Sequence, residues 1–284
     1  MQQNSGSDNT TVLIAASEKD PASLNIAEQI LKNYPFSLAM EKFQGAPVYS
    51  YKVKDRNIAL TILDYELVYA QNITEFSPHP ELVVFVSRHS SASGTPTLSV
   101  HTPGNFGEAE LGGMPRKVSV SPAAAMVTAL KTMAKILSEK KLAYKVSYEC
   151  THHGPSLDIP AMFVELGSTP REWGNKEAAE VVAHAAMEAA LDFKGYKAKA
   201  VIGIGGPHYN EKFTRMALEE TIAFGHMKPK YAVESVDEHI LRQCIERTLE
   251  GVEFAVLDWK GIRGKDKKRI IEMLERINLQ FKKV

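Results

Sequence analysis

Two cysteines, Cys150 and Cys244, are too few for a disulfide framework and fit no zinc-finger spacing, so a reducing compartment is the simplest reading. Neither sign of charge is in excess, because 34 Lys and Arg stand against 34 Asp and Glu. That balance disfavours a protein that coats nucleic acid by bulk charge, although composition averages over local patches. No apolar run approaches the roughly 18 residues of a membrane span. The opening residues MQQNSGSDNT carry no apolar stretch of the secretory kind. The expectation is a cytoplasmic chain, away from membranes and monomeric. Three catalytic signatures are also missing. There is no HExxH, no GxSxG elbow and no GxGxxG, which argues against a zincin helix, a serine-hydrolase nucleophile and a dinucleotide fingerprint.

What is present is ordinary globular material: 284 residues, 44% hydrophobic and 24% charged, enough for a large core. Short runs rich in Val, Ile and Tyr predict strands at 11–16, 47–53, 58–64, 81–86, 96–101, 144–149, 161–166, 198–204, 231–234 and 253–257. Helical patterns predict helices at 21–33, 122–139, 171–193, 211–222, 236–249 and 265–277. Asp20-Pro21 and Ser121-Pro122 read as N-caps followed by proline at the first helical position. The alternation predicts an α/β fold with a mixed, mostly parallel central sheet flanked by helices on both faces. The runs at 47–53 and 58–64 read as an antiparallel hairpin. Residues 1–10 read as a disordered tail and 11–284 as a single α/β domain. The segment 88–121 is long, glycine-rich and irregular, which in a compact domain is usually functional.

The histidines carry the main signal. His89 (SRHSS), His101 (HTPGNFG), His152 and His153 (YECTHHGP) and His208 (GIGGPHY) each fall at or just past the end of a predicted strand. Ligands of open α/β sheets bind beyond strand C-termini, so parallel strands would gather these five on one rim. A single loop histidine is usually just solvated, and His79 is read that way, while His184 and His239, on predicted helices, are read as structural or surface residues. His226, in AFGHMKPK, is ambiguous. Imidazoles with a carboxylate suit zinc, and Glu165, near the end of an apolar strand, is the candidate carboxylate. General-base histidines without metal fit the same pattern.

Other motifs are weaker. GIGG, including Gly205 and Gly206, either presents backbone N–H groups to an anion or makes a tight strand-to-helix turn. Ser87, Ser90, Ser91 and Ser93 crowd around His89. DWKGIRGKDKKR holds Lys260, Arg263, Lys265, Lys267, Lys268 and Arg269, either a solvated face or a phosphate contact.

Taken in order, SRHSS, HTPGNFG, YECTHHGPS, FVELGSTPREW, GIGGPHY, AFGHMKPKYA and DWKGIRG resemble the archaeal-type D-aminoacyl-tRNA deacylases, also found in plants. The resemblance runs from about Val12 to about Phe281. It implies hydrolysis of the ester between a D-amino acid and the terminal ribose of tRNA, zinc dependence, and a fold similar to peptidyl-tRNA hydrolase and purine nucleoside phosphorylase. One departure is Pro207, where the family often has a third glycine. On this reading His89, His101, His152, His153 and His208 are catalytic. Zinc is held by some of His89, His152, His153 and His208 with Glu165, and which of them ligate stays open. Ser90, Asn105 in the loop 101–113, Gly205, Gly206, Lys260 and Arg263 contact the substrate, the last two through phosphates. Two other classes remain alternatives: a zinc amidohydrolase or peptidase acting on a small substrate, and a non-catalytic tRNA- or metal-binding protein. A nucleoside phosphorylase has support only from the fold.

Overall fold

The computed structural model describes residues 10–284. The tail expected over 1–10 lies outside them, apart from Thr10, which opens the first strand. The elements in order are β1 (Thr10–Ser17), α1 (Pro21–Asn33), β2 (Ser37–Phe43), β3 (Ala46–Val53), β4 (Arg56–Leu63), β5 (Leu82–Ser90), β6 (Thr97–His101) and α2 (Ala123–Lys140). They continue with β7 (Lys145–Tyr148), β8 (Ala161–Ser168), α3 (Pro170–Trp173), α4 (Lys176–Asp192), β9 (Lys199–Ile204), α5 (Glu211–Glu219), β10 (Ile222–Lys228), α6 (Glu238–Glu246), β11 (Phe254–Leu257), α7 (Gly264–Arg276) and β12 (Phe281–Lys283). Short 3-10 helices lie at Leu67–Tyr69, Gln71–Glu75, Lys230–Ser235 and Trp259–Gly261.

The strands form two sheets. The larger runs β2-β3-β4-β1-β5-β8-β6-β7. Its β4-β1-β5-β8 centre is parallel, the β2-β3-β4 edge is antiparallel, and β6 runs antiparallel to β8 but parallel to β7. The smaller sheet, β10-β9-β11-β12, is parallel throughout. The period-2 alternation of the central strands sorts their side chains onto two faces. Val12, Ile14, Val84, Val86, Met162 and Val164 point to one face, where α1, α2 and α4 bury them. Leu13, Ala15, Val83, Phe85 and Phe163 point to the other, under Leu67, Ala70, Ile73 and Phe76 of the 3-10 segment. The long helices thus take one face and leave the end of the opposite face to loops. Residues of α2, α5, β9 and β10 belong to the same core as the first face, which joins the two sheets.

The local reasons are legible. The Asp20 carboxylate accepts from the Ala22 and Ser23 amides with Pro21 next in line, so α1 starts where predicted. The helix expected over 171–193 is broken at Gly174. Thr169 and Glu172 form a capping box on α3, and the Asn175 side chain accepts from the Ala178 amide to start α4 anew. The helix expected to reach residue 222 stops at Glu219, because Ile222–Lys228 is β10, a strand buried along its whole length that shows no alternation. The strand expected at 231–234 is a 3-10 helix after Pro229. β2 and β12 were not foreseen; both are short edge strands with mostly exposed side chains.

Candidate functional site

Three neighbouring strands place one polar row on the face of the large sheet opposite α1, α2 and α4. Ser87 of β5 and Ser99 of β6 both register with Glu165 of β8, and His101 registers with Phe163. Two residues beyond Ser87, His89 lies on the same face, opposite Gly167. A Cβ on Gly167 would come within 2.5–2.6 Å of His89, so glycine makes room for the imidazole. His101 stacks flat on Phe163, with ring centroids 5.0 Å apart and planes at 2°. The loop after β7 then folds back over the row. It brings Glu149, His152 and His153, while the loop after β9 brings His208. Ring centroids of His152 lie 4.3 Å from His101, 4.2 Å from His153 and 4.5 Å from His208.

This corrects the expected rim. β6 is antiparallel to β8, so no common C-terminal edge collects the histidines. They meet over the face of β8, because His101 approaches from one end of that strand and His89 from the other. β5 also runs four residues further than predicted, which puts His89 inside the strand instead of past it.

Two buried carboxylates organise the cluster. Glu149 Oε1 lies 3.0 Å from His89 Nδ1, and its Oε2 lies 3.1 Å from His208 Nε2 and 3.8 Å from His152 Nε2. Glu165 Oε1 accepts from the Ser87 hydroxyl at 2.8 Å and lies 3.6 Å from His101 Nε2, while Oε2 lies 3.7 Å from His89 Nδ1. The Nδ1 atoms are occupied elsewhere. Those of His152 and His153 donate to the carbonyls of Cys150 and Gly154, at 2.8 and 2.7 Å, and that of His208 meets the Tyr231 hydroxyl at 3.1 Å. His152 and His208 therefore aim their Nε2 atoms at one carboxylate.

Burial opposes charge on His89, but contact with Glu149 and Glu165 outweighs it and lifts the imidazole to about 10. His101 moves up likewise against its burial, held by Glu165. Desolvation, with His101 and His153 as neighbours, pushes His152 well down, and His153 falls to about 4 for similar reasons. Burial would raise Glu149, but His208 and His89 hold it well below the usual carboxylate range. Glu165 is also lowered: burial and the Glu149 charge oppose this, while His101 and His89 prevail.

The residues fit a metal. Donor atoms lie within 4.8 Å of one another in three sets: Glu149, His152 and His208; His101, His152 and His153; and His89, Glu149 and Glu165. Both ring nitrogens of His101 are buried without a hydrogen bond among the described residues. Imidazoles with Nδ1 tied to a carbonyl or hydroxyl present Nε2 as a ligand.

Above the cluster lies a cavity of about 370 Å³ lined by His89, Glu149, His152, His153, Glu165 and His208. Leu67, Val68, Leu111 and Phe163 add an apolar part to a wall that also carries Asp20, Glu66 and Arg88. Leu111 arrives on the glycine-rich loop, and a Cβ on Gly112 would lie 2.0 Å from the Val68 carbonyl oxygen, so only glycine docks there.

The other expected contacts fall differently. Ser90 lines the cavity mouth. Asn105 is buried, and its amide donates to the carbonyls of Gly112 and Met114, so it shapes the loop and is not free for substrate. The N–H groups of Gly205 and Gly206 are spent on the Lys228 and Gly261 carbonyls, which removes the anion-binding reading of GIGG. Arg263 is paired with Glu234 at 3.0 Å, whereas Lys260 is exposed and has no ion pair among the described residues. His226 is buried inside β10, between the Thr151 hydroxyl and the Arg247 carbonyl. Glu149 is the residue that sequence reasoning missed. The signal that could have found it is its position at the end of the predicted strand 144–149, three residues before His152.

The family model for D-aminoacyl-tRNA deacylase matches residues 76–282. The D-aminoacyl-tRNA deacylase of Thermococcus kodakarensis is 36% identical over 275 residues, covering 95% of this chain and 98% of the relative. That of Methanocaldococcus jannaschii is 36% identical over 282 residues, covering 96% and 99%. The crystal structure of the conserved protein of unknown function AF0625 superposes with a TM-score of 0.86 at 30% identity, covering 97% of this chain and 96% of that one.

Proposed function

The chain belongs to the D-aminoacyl-tRNA deacylase family, and we propose that it hydrolyses the aminoacyl ester of D-aminoacyl-tRNA in the cytoplasm with zinc held by Glu149, His152 and His208. One observation carries the metal assignment: two imidazoles with Nδ1 tied elsewhere turn their Nε2 atoms onto a single buried carboxylate. All three residues line the cavity, and a set of two histidines and one glutamate is a known catalytic zinc set that leaves a position open. When bound, zinc supplies Lewis-acid polarisation of the ester carbonyl and lowers the pKa of water.

The chain's own groups do the rest. His89, held as imidazolium between Glu149 and Glu165, donates a proton to the leaving ribose oxygen from the cavity floor. Glu165, fixed by the Ser87 hydroxyl, keeps that proton on His89 until transfer. Leu67, Val68, Leu111 and Phe163 receive the amino-acid side chain, and the docked glycine loop walls off the L-arrangement at the α-carbon.

The test is release of amino acid from D-Tyr-tRNA and L-Tyr-tRNA by the purified protein, before and after chelation, then with zinc restored. D-selective release that the chelator abolishes and zinc restores is expected. D-selective release indifferent to the chelator keeps the reaction and overturns the zinc assignment.

A further inference from the structure

The cavity explains the ester and the amino acid, but not how the nucleic acid is held. Tyr231 stands beside it, 59% exposed. Its hydroxyl is 3.1 Å from His208 Nδ1, and its ring lies 6.5 Å from the imidazole at 25°. The backbone fixes this placement. The Lys230 N–H donates to the Gly206 carbonyl at 2.8 Å, and the Gly206 N–H donates to the Gly261 carbonyl at 3.3 Å. Segments 230–231 and 260–261 therefore clasp the same glycine, two residues before His208.

Charge separates the rims of the cavity. Most of the basic cluster is already engaged. Arg263 and Lys265 share Glu234, Arg269 is held by Asp266, Lys268 reaches Glu272, and Lys267 lies over the Trp259 ring. Lys230 and Lys260 are exposed, and among the described residues their ammonium groups have no ion pair or hydrogen bond. On the opposite rim Tyr69 is also exposed, at 56%. On that side Arg88 is paired with Glu66 and Asp20 and Lys194 with Glu81, so the cations there are already spent on carboxylates.

We propose that Tyr231 is the stacking platform for the terminal nucleobase of the tRNA, with Lys230 and Lys260 taking the phosphates that precede it. This rests on the deacylase reading above. An ester placed at Glu149 and His208 puts the base of the same nucleoside one ribose away, and Tyr231 is the exposed aromatic on the His208 side. A flat ring accepts a base by its face, and unpaired lysines flank it for the backbone. The zero net charge is then no obstacle, because two uncompensated cations at the right place suffice to orient a strand end.

The test compares the full-length enzyme with Tyr231→Phe and Tyr231→Leu on D-tyrosyl-tRNA, in parallel with inhibition by the trinucleotide 5′-CCA-3′ and by its analogue lacking the last base. Tyr231→Leu is expected to raise KM by about tenfold or more. Tyr231→Phe keeps the ring and loses the hydroxyl on His208, so its effect falls on kcat with KM within about twofold of wild type. Wild type is expected to bind the full trinucleotide better than the analogue, and Tyr231→Leu to lose that preference. Lys230→Ala and Lys260→Ala are each expected to reduce the slope of log affinity against log salt by about 0.7. An active wild-type enzyme whose KM is unmoved in Tyr231→Leu overturns the stack and leaves the deacylase reading standing. A wild-type protein that prefers the full trinucleotide but releases no amino acid keeps the stack and overturns the deacylase reading. Unchanged salt slopes in both lysine variants overturn the phosphate contacts.

Discussion

Replacing Glu149 by glutamine keeps the volume and removes one charge from the centre of the cluster. At 3.0 Å the pair with His89 is worth about 5 kcal/mol at an effective dielectric of about 20, before desolvation is counted. Both side chains are buried, at 4% and 2% exposure, so little solvent screening intervenes. Removing one partner of such a pair typically costs about 3–5 kcal/mol, because the other is left buried without compensation. The variant also loses the carboxylate on which His152 and His208 converge. Three readouts should move together. Zinc content after dialysis falls severalfold, the denaturant midpoint drops, and single-turnover deacylation slows by about a hundredfold or more. The His89 imidazole, followed by NMR, should titrate lower than in wild type, since Glu149 is the first group that holds it up. Glu149→Asp serves as the conservative control. A Glu149→Gln protein that keeps its zinc and deacylates within about threefold of wild type would refute the bridging role.

His226 sits neutral between Thr151 and Arg247, and burial holds it down at about 4. The unfolded chain takes up a proton near 6.5 and the folded one does not, so stability is full above pH 6.5 and is lost as pH falls toward 4. In urea melts, His226→Gln should lose about 2 kcal/mol less than wild type between pH 7 and pH 5, and equal losses would contradict the assignment. Gly167→Ala places a Cβ against His89 and should cut deacylation by about a hundredfold, with the circular dichroism spectrum retained. Asn105→Ala removes the amide that ties Gly112 and Met114. It should reduce D-over-L selectivity by about tenfold while zinc content is unchanged, which kinetics on both tRNA substrates would show.

The fold was legible where local chemistry decided it. α1 reads from Asp20-Pro21, and the β3-β4 hairpin reads from its short polar turn. It was not legible where tertiary packing decided. β10 is buried on both faces, so its IAFGHMK run offers no alternation to find, and His226 stayed ambiguous. The split into two sheets has no local signature, because helices such as α2 and α5 contribute to the core that joins them. The reversal of β6 against β8 is likewise a long-range choice, and no residue within 97–101 announces it.

The site shows the same division between residue type and direction. Histidines in loops between strands marked the chemistry, because buried or clustered imidazoles need partners. They did not reveal which partner. Glu165 lies near the end of the apolar run AMFVEL, whereas Glu149 ends the more polar YKVSYE and drew no attention. Only the fold shows that Glu149 faces three imidazoles, while Glu165 is shared by Ser87, His89 and His101. The basic segment 258–269 gives the converse lesson. Counting its charges overstated the phosphate site, since Glu234 neutralises Arg263 and Lys265 from another part of the chain. Lys230 was overlooked because it lies outside that segment, yet with Lys260 it is one of two exposed, unpaired cations on the segments that clasp Gly206. The cations proposed to take phosphates are the ones the fold leaves uncompensated, and compensation is set by contacts too distant in sequence for local pattern to record.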